Sequence, residues 1–241
     1  MNYLELDLTS RLGKEQFPSI EDHYKLLWRL ALSLEKHAAM SIDAWCPPAD
    51  SPKASLLNAA FDRNGPTLAA IAMAKTAKGH DSGIGTLAAW NGVESREGGA
   101  TFSSMLCEEG LSNVNLVTSG FPKLMDYKVV ASIMMDALEI WPSMVATAGN
   151  LTTKYFTKYQ VFKDRPAAGW MLYLPRILTT QQVPEARALI PVMDGKMQTG
   201  TVIVSVTNGM FDVNNPEHIK IANAIEVRLA DQDLLPRFAD L

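Results

Sequence analysis

The sequence predicts an α+β fold, mostly antiparallel sheet flanked by several amphipathic helices. Three observations lead there. Apolar residues repeat with two periods along the chain, alternating in some segments and recurring at three-to-four spacing in others. The strand-like and helix-like segments do not alternate in the regular order of a doubly wound parallel sheet. And 47% of the 241 residues are hydrophobic, enough to bury a sizeable core as one large domain or two small ones.

Residues 2–8 alternate, with Leu4, Leu6 and Leu8 on one side, the pattern of a half-buried strand. Pro18 and Ser19 then open a helix over 20–39. Ser19 with Asp22 three residues on resembles a capping box, and Leu26, Leu27, Leu30 and Leu34 recur at helical spacing. Three prolines between Cys46 and Pro52 make that stretch a rigid loop. A short helix over 53–60, punctuation at Gly65-Pro66 and an Ala-rich helix over 67–77 follow. Gly-rich turns at 79–85 and 98–99 bracket a strand over 87–90, and two more strands fall at 101–106 and 114–117. The second long helix covers 125–141, with Tyr127, Val130, Met134 and Leu138 on one face, and Pro142 ends it.

The last third predicts a buried strand at 170–174, a β-branched strand at 201–206, and a helix from Asn215-Pro216 to about residue 230. Asn215 and Pro216 make a cap-then-first-turn pair, Glu217 sits where the helix dipole favours an anion, and Ile221, Ala222, Ile225 and Leu229 form the stripe. Trp170, Leu172, Leu174 and Ile203 are expected to be buried together with Ile221, Ile225 and Leu229. The halves 1–110 and 111–241 each run strand, long helix ending near a Trp (Trp45, Trp141), then strands, an order that an old duplication would leave. No linker separates them, so the chain reads as a single domain over 1–241.

Charge narrows the function class. There are 22 Lys and Arg against 26 Asp and Glu, a net charge of −4, with no basic run longer than two residues. A nucleic-acid binder needs a cationic footprint for phosphates, so that class is set aside; an acidic balance suits a basic partner instead. Cys46 and Cys107 are too few for a disulfide scaffold and read as reduced thiols. No basic-then-apolar leader opens the chain and no apolar run reaches the roughly 20 residues of a membrane span, so the expected compartment is the cytoplasm.

Motifs for catalysis are weak. Gly83-Ile84-Gly85-Thr86-Leu87-Ala88 fits a dinucleotide-binding pattern but lacks a preceding strand, and a plain glycine turn explains it better. Ser33-Leu34-Glu35-Lys36 lies inside a helix without the partner motifs of a serine acyl-enzyme. Asp194-Gly195-Lys196 matches a metal-nuclease tripeptide, and a turn between strands accounts for it. His23, His37, His80 and His218 form no metal-ligand spacing; His23 and His37 read as helix-surface residues. No catalytic residue, cofactor or metal is expected. Arg228 and Asp231 read as a local ion pair. The acidic pairs Glu94/Glu97 and Glu108/Glu109 are either solvated loop charge or an anionic surface for a basic partner.

The segments FKDRPAAGWMLYLPRILTTQQVPEARALIPV (162–192), GTVIVSV (200–206) and NPEHIKIANAIEVRLADQDLLPRF (215–238) resemble the immunity protein 52 family, over roughly the last third of the chain. The resemblance implies an antidote of a bacterial polymorphic toxin system linked to type VI secretion. Such a protein has an α+β fold and no catalytic role, and it binds a cognate toxin, commonly a nuclease of restriction-endonuclease fold. Under it, Glu94, Glu97, Glu108 and Glu109 are candidate phosphate mimics toward the toxin. Tyr173, Arg176 and Gln182 are a second candidate surface. Arg176, Gln181, Gln182 and Glu185, set around Pro175 and Pro184, either satisfy buried backbone groups in an irregular connection or face the partner. A cytoplasmic hydrolase and an adaptor of the secretion machinery are the other readings. The protein is expected to be a monomer or homodimer.

Overall fold

A computed structural model of the chain describes residues 3–13, 16–76, 83–95, 97–150 and 153–241. Its frame is an eight-stranded sheet, antiparallel at every junction. In chain order the strands are β1 (Tyr3–Arg11), the small paired β2 (Phe61–Asp62) and β3 (Gly65–Pro66), β4 (Ile84–Trp90), β5 (Ala100–Cys107), β6 (Leu111–Ser119), β7 (Val145–Gly149), β8 (Met171–Leu174), β9 (Ala188–Asp194) and β10 (Met197–Val204). The large sheet runs β4-β5-β6-β1-β7-β8-β10-β9, so the first strand of the chain lies near its middle. The helices are α1 (Ile20–Ala38), α2 (Pro52–Ser55), α3 (Leu68–Thr76), α4 (Tyr127–Ile140), α5 (Thr153–Lys158) and α6 (Pro216–Asp231).

Local chemistry sets the helix ends. Ser19 Oγ accepts from the Asp22 amide at 3.1 Å and donates to its carboxylate at 2.8 Å, while Ala39 closes α1 in the left-handed region at φ 60°. Asp126 caps α4, and Asn215 caps α6 ahead of Pro216. Leu4, Leu6 and Leu8 of β1 enter the larger core cluster with Leu27, Leu30 and Leu34 of α1 and Val130 and Met134 of α4. A second cluster gathers Leu172, Leu174 and Ile203 under Ile221, Ile225 and Leu229 of α6.

Several expectations are corrected. Trp170 is fully buried, but in the larger cluster with Tyr155, Phe211 and Ala222 rather than beside Leu172. Its indole N–H donates to the Val206 carbonyl at 2.9 Å, which draws it out of the strand's alternation. His23 is not on the surface: it is completely buried, 3.0 Å from Ser104 Oγ of β5. His37 reaches Asp136 of α4 at 3.1 Å, and Ser33 donates to the same carboxylate at 2.8 Å, so the serine is spent on helix pairing. Arg228 pairs with Glu185 at 2.8 Å, not with Asp231, because a carboxylate across the α6 groove offers two oxygens to the guanidinium. β7, with its Ala-rich VATAG, and α5 are elements that periodicity did not reveal. Gly83 is a turn residue at φ 72° leading straight into a strand, and Gly195, at φ 58°, takes the first loop position of the β9–β10 hairpin.

Candidate functional site

The seven residues singled out from sequence occupy separate places. Glu94 and Glu97 lie exposed in the β4–β5 connection. That loop is pinned over the end of β6, where Gly98 N–H donates to the Ser119 carbonyl at 2.8 Å and Ser119 N–H to the Gly99 carbonyl at 2.9 Å. A Cβ on Gly120 would stand 2.8 Å from Glu97 Cγ, so the bare glycine lets the chains close up. Glu108 and Glu109 lie in the β5–β6 turn, at the opposite end of β5, roughly 25 Å away at about 3.3 Å per strand residue. Gln182 is engaged locally: its side-chain oxygen accepts from the Thr179 amide at 3.0 Å and hydroxyl at 3.2 Å, and its carbonyl accepts from Gln232 at 2.8 Å.

Tyr173 and Arg176 come to either side of one ridge. Tyr173 is buried in β8 with its ring against Gly200, and burial pushes its phenol up. It lines a groove of about 600 Å³ between α4 and the β9–β10 hairpin, rimmed by Asp136, Glu139 and Asp194 over Met135 and Met193. Arg176 lines an adjoining cleft of about 570 Å³ with Arg11, Arg165 and Arg237. The two share Pro142, Ser143 and Pro175. Three of the four arginines are committed within the protein: Arg11 to the Leu241 main-chain oxygen at 2.6 Å, Arg165 to the Leu235 carbonyl, and Arg237 to Asp164 at 3.7 Å.

Strand alternation creates a further surface that the motifs did not suggest. The residues of β1, β4, β5 and β6 that do not enter the core point to the other side of the sheet, and none of those in the central rows is buried. One row across it reads Ala88, Ser103, Asn115, Asp7, Thr147. Its neighbours include Glu5, Thr101, Val117 and, toward the other end, Thr9, Asn113 and Met105. The same sheet side is covered further along, where Leu172 and Ile203 meet α6.

Two carboxylates stand at the centre of this face, one pleat apart on β1. The Asn115 amide donates to Asp7 at 2.7 Å and to Glu5 at 3.1 Å, and the Tyr3 hydroxyl donates to Glu5 at 3.4 Å. Among the described residues no cation pairs with either. Desolvation, assisted by the Glu5 charge and opposed by the Asn115 hydrogen bond, lifts Asp7 from 3.8 to about 6. Tyr3 is pushed up to about 12, first by burial and then by the neighbouring carboxylates. The signal was present in sequence, since the alternation that gives Leu4, Leu6 and Leu8 to the core gives Glu5 and Asp7 to the other face.

The carboxylate of Glu226, which is fully buried, is structural. Glu226 accepts from Tyr155 Oη at 2.9 Å, Val161 N–H at 3.0 Å and Ala168 N–H at 3.1 Å, tying α5 and the 159–168 connection to α6. Burial still pushes it up. Among the described residues no group of three or more His, Cys, Asp or Glu is placed to hold a metal ion, and no helix is long and apolar enough to cross a membrane. Cys46 and Cys107 are free and buried.

No protein-family model and no curated protein matches the chain, so the likeness to immunity protein 52 rests on the quoted segments alone. Among solved structures, the fold is similar to that of the Pseudomonas aeruginosa T6SS protein PA0821, with a TM-score of 0.53 and 12% identity. The match covers 93% of this chain and 76% of that one.

Proposed function

We propose that this chain is an immunity protein: in the cytoplasm of the producing cell it binds a cognate antibacterial toxin, a nuclease effector, and neutralises it by occluding the active site, with no turnover. The observation that carries the reading is the likeness in fold, across nearly the whole chain, to a protein named as part of type VI secretion. The resemblance of residues 162–238 to immunity proteins supplies the finer role. A nuclease groove is cationic because it holds phosphates, and an acidic inhibitor is steered into it.

The test is co-production of this chain with the toxin encoded beside its gene, at controlled ratios, with survival counted. Protection should rise until there is one copy per toxin and then level off. Protection persisting at large toxin excess would make the antidote catalytic; absence of protection and of binding would end the antidote reading. An adaptor of the secretion machinery is the second reading, favoured by the same fold likeness, and stable association with machinery components without any toxin would select it.

A further inference from the structure

We propose that the uncovered face of β4, β5, β6 and β1 is the surface on which the basic toxin docks, with one of its guanidinium or ammonium groups seated between Asp7 and Glu5 beside Asn115. The proposal rests on the antidote reading and says where that antidote binds.

Charge distribution argues for a basic occupant. Residues 3–11 and 84–119, which build these four strands and their turns, contain six carboxylates (Glu5, Asp7, Glu94, Glu97, Glu108, Glu109) and two guanidiniums, Arg11 and Arg96. Their net charge is −4, equal to that of the whole chain, so the remaining residues are neutral in sum. The entire acidic excess is therefore carried by the segments of this face.

The chemistry at its centre is that of an incomplete ion pair. A single Asn115 amide serves both carboxylates, and a carboxylate this poorly solvated gains most from a cation that a partner brings. Thr147 of β7, Asn113 and Asn115 of β6, and Tyr3 and Glu5 of β1 face Asp7 from the elements beside it, and none supplies positive charge. The dimensions supply the larger part of one side of an interface. Four strands at about 4.8 Å and roughly 25 Å of strand length give a platform of about 500 Å², short of the roughly 800 Å² per partner of a standard interface. The acidic turns at both ends of β5 supply the remaining rim.

The experiment measures binding of the neighbouring gene's toxin domain to the wild-type chain and to three variants. Asp7→Asn with Glu5→Gln removes the central charges, Ser103→Arg blocks the middle of the face, and Asp194→Lys alters the groove beside α4 as a control. The double variant should bind at least about 30-fold more weakly, and Ser103→Arg should abolish binding, with Ser103→Arg and Asp194→Lys keeping the wild-type urea transition and the double variant unfolding at no lower urea than wild type. Asp194→Lys should bind as wild type. Wild-type affinity should fall between pH 7.5 and pH 5, and Asp7→Asn should flatten that profile. Undiminished binding by the double variant and Ser103→Arg, with loss in Asp194→Lys, would move the site to the groove and leave the antidote reading standing. Failure of the wild-type chain to bind would overturn both.

Discussion

Replacing Asp7 by Asn should make the free protein more stable at neutral pH. Burial and the neighbouring Glu5 charge raise the Asp7 carboxyl from 3.8 to about 6. Because the folded value is raised, the stabilisation belongs to the neutral form: it is fully present below about pH 4 and lost as pH rises through 6. A rise of this size bounds the cost of the ionised form at ~3 kcal/mol. Asp7 is partly open to solvent, so screening reduces this to about 1–2 kcal/mol. Asn keeps a polar partner for Asn115 without the charge. With an unfolding entropy of about 0.5 kcal/mol per degree for a chain of this size, the gain corresponds to a rise in Tm of about 2–4 °C. Urea titrations of both proteins at pH 4.5, 6.0 and 7.5 measure it: the difference should be largest at pH 7.5 and smallest at pH 4.5, between the unfolded and folded values. A loss of stability at pH 7.5, or a gain that does not change with pH, would refute the argument that Asp7 is a desolvated, unpaired anion.

Three other outcomes follow from the same geometry. Ile225→Ala, at a completely buried position of α6, should cost about 2–5 kcal/mol in urea unfolding, and a loss below roughly 1 kcal/mol would mean that α6 is peripheral. Glu226→Ala strands the Tyr155 hydroxyl and the Val161 and Ala168 amides without an acceptor. It should cost about 3 kcal/mol and speed amide hydrogen exchange across 155–168, and wild-type exchange there would show that the carboxylate is dispensable. Reversing Glu94 and Glu97, or Glu108 and Glu109, to Lys should slow toxin association and flatten its salt dependence in stopped flow while changing dissociation little, as rim charges do; unchanged association would exclude both turns from the encounter surface.

Long periodic segments were readable because their burial is one-sided. The α1 stripe, the α4 face and the β1 alternation each have a single apolar side, so the period reports the structure. β7 was not readable: VATAG is small and nearly uniformly buried between β1 and β8, and such a strand has no alternation to detect. β9 carries Pro191 within its run, which masks it as a loop until Gly195 reveals the hairpin. His23 was misplaced because its partner, Ser104, lies 81 residues away on β5, and no local spacing encodes that pairing. The acidic pairs were visible as charge, but only the strand register shows that Glu94/Glu97 and Glu108/Glu109 mark opposite ends of one face whose middle holds Glu5 and Asp7.

The way the sheet is finished bears on how a partner can engage it. An antiparallel sheet can recruit a foreign strand at an edge or present a face. Each edge is interrupted at one place. β9 places Pro191, which has no amide donor, in the middle of one edge strand, and Met193 and Asp194 lead directly into the tight hairpin. At the other edge, Cys46 closes a two-hydrogen-bond bridge on Trp90, with its amide 2.7 Å from the Trp90 carbonyl and its carbonyl 3.1 Å from the Trp90 amide. Trp90 is held again by its indole N–H, 2.6 Å from Ser55 Oγ. Strand addition would have to break or bypass these arrangements, whereas the face of β4, β5, β6 and β1 is polar at its centre and, among the described residues, not buried. Strands hydrogen-bonded on both sides lose less conformational freedom on binding than a loop does, so the energy of a single cation seated at Asp7 would go into affinity rather than into ordering a loop. Under the docking proposal the interrupted edges and the acidic face act together: the first disfavour strand addition, and the second offers opposite charge to a basic partner.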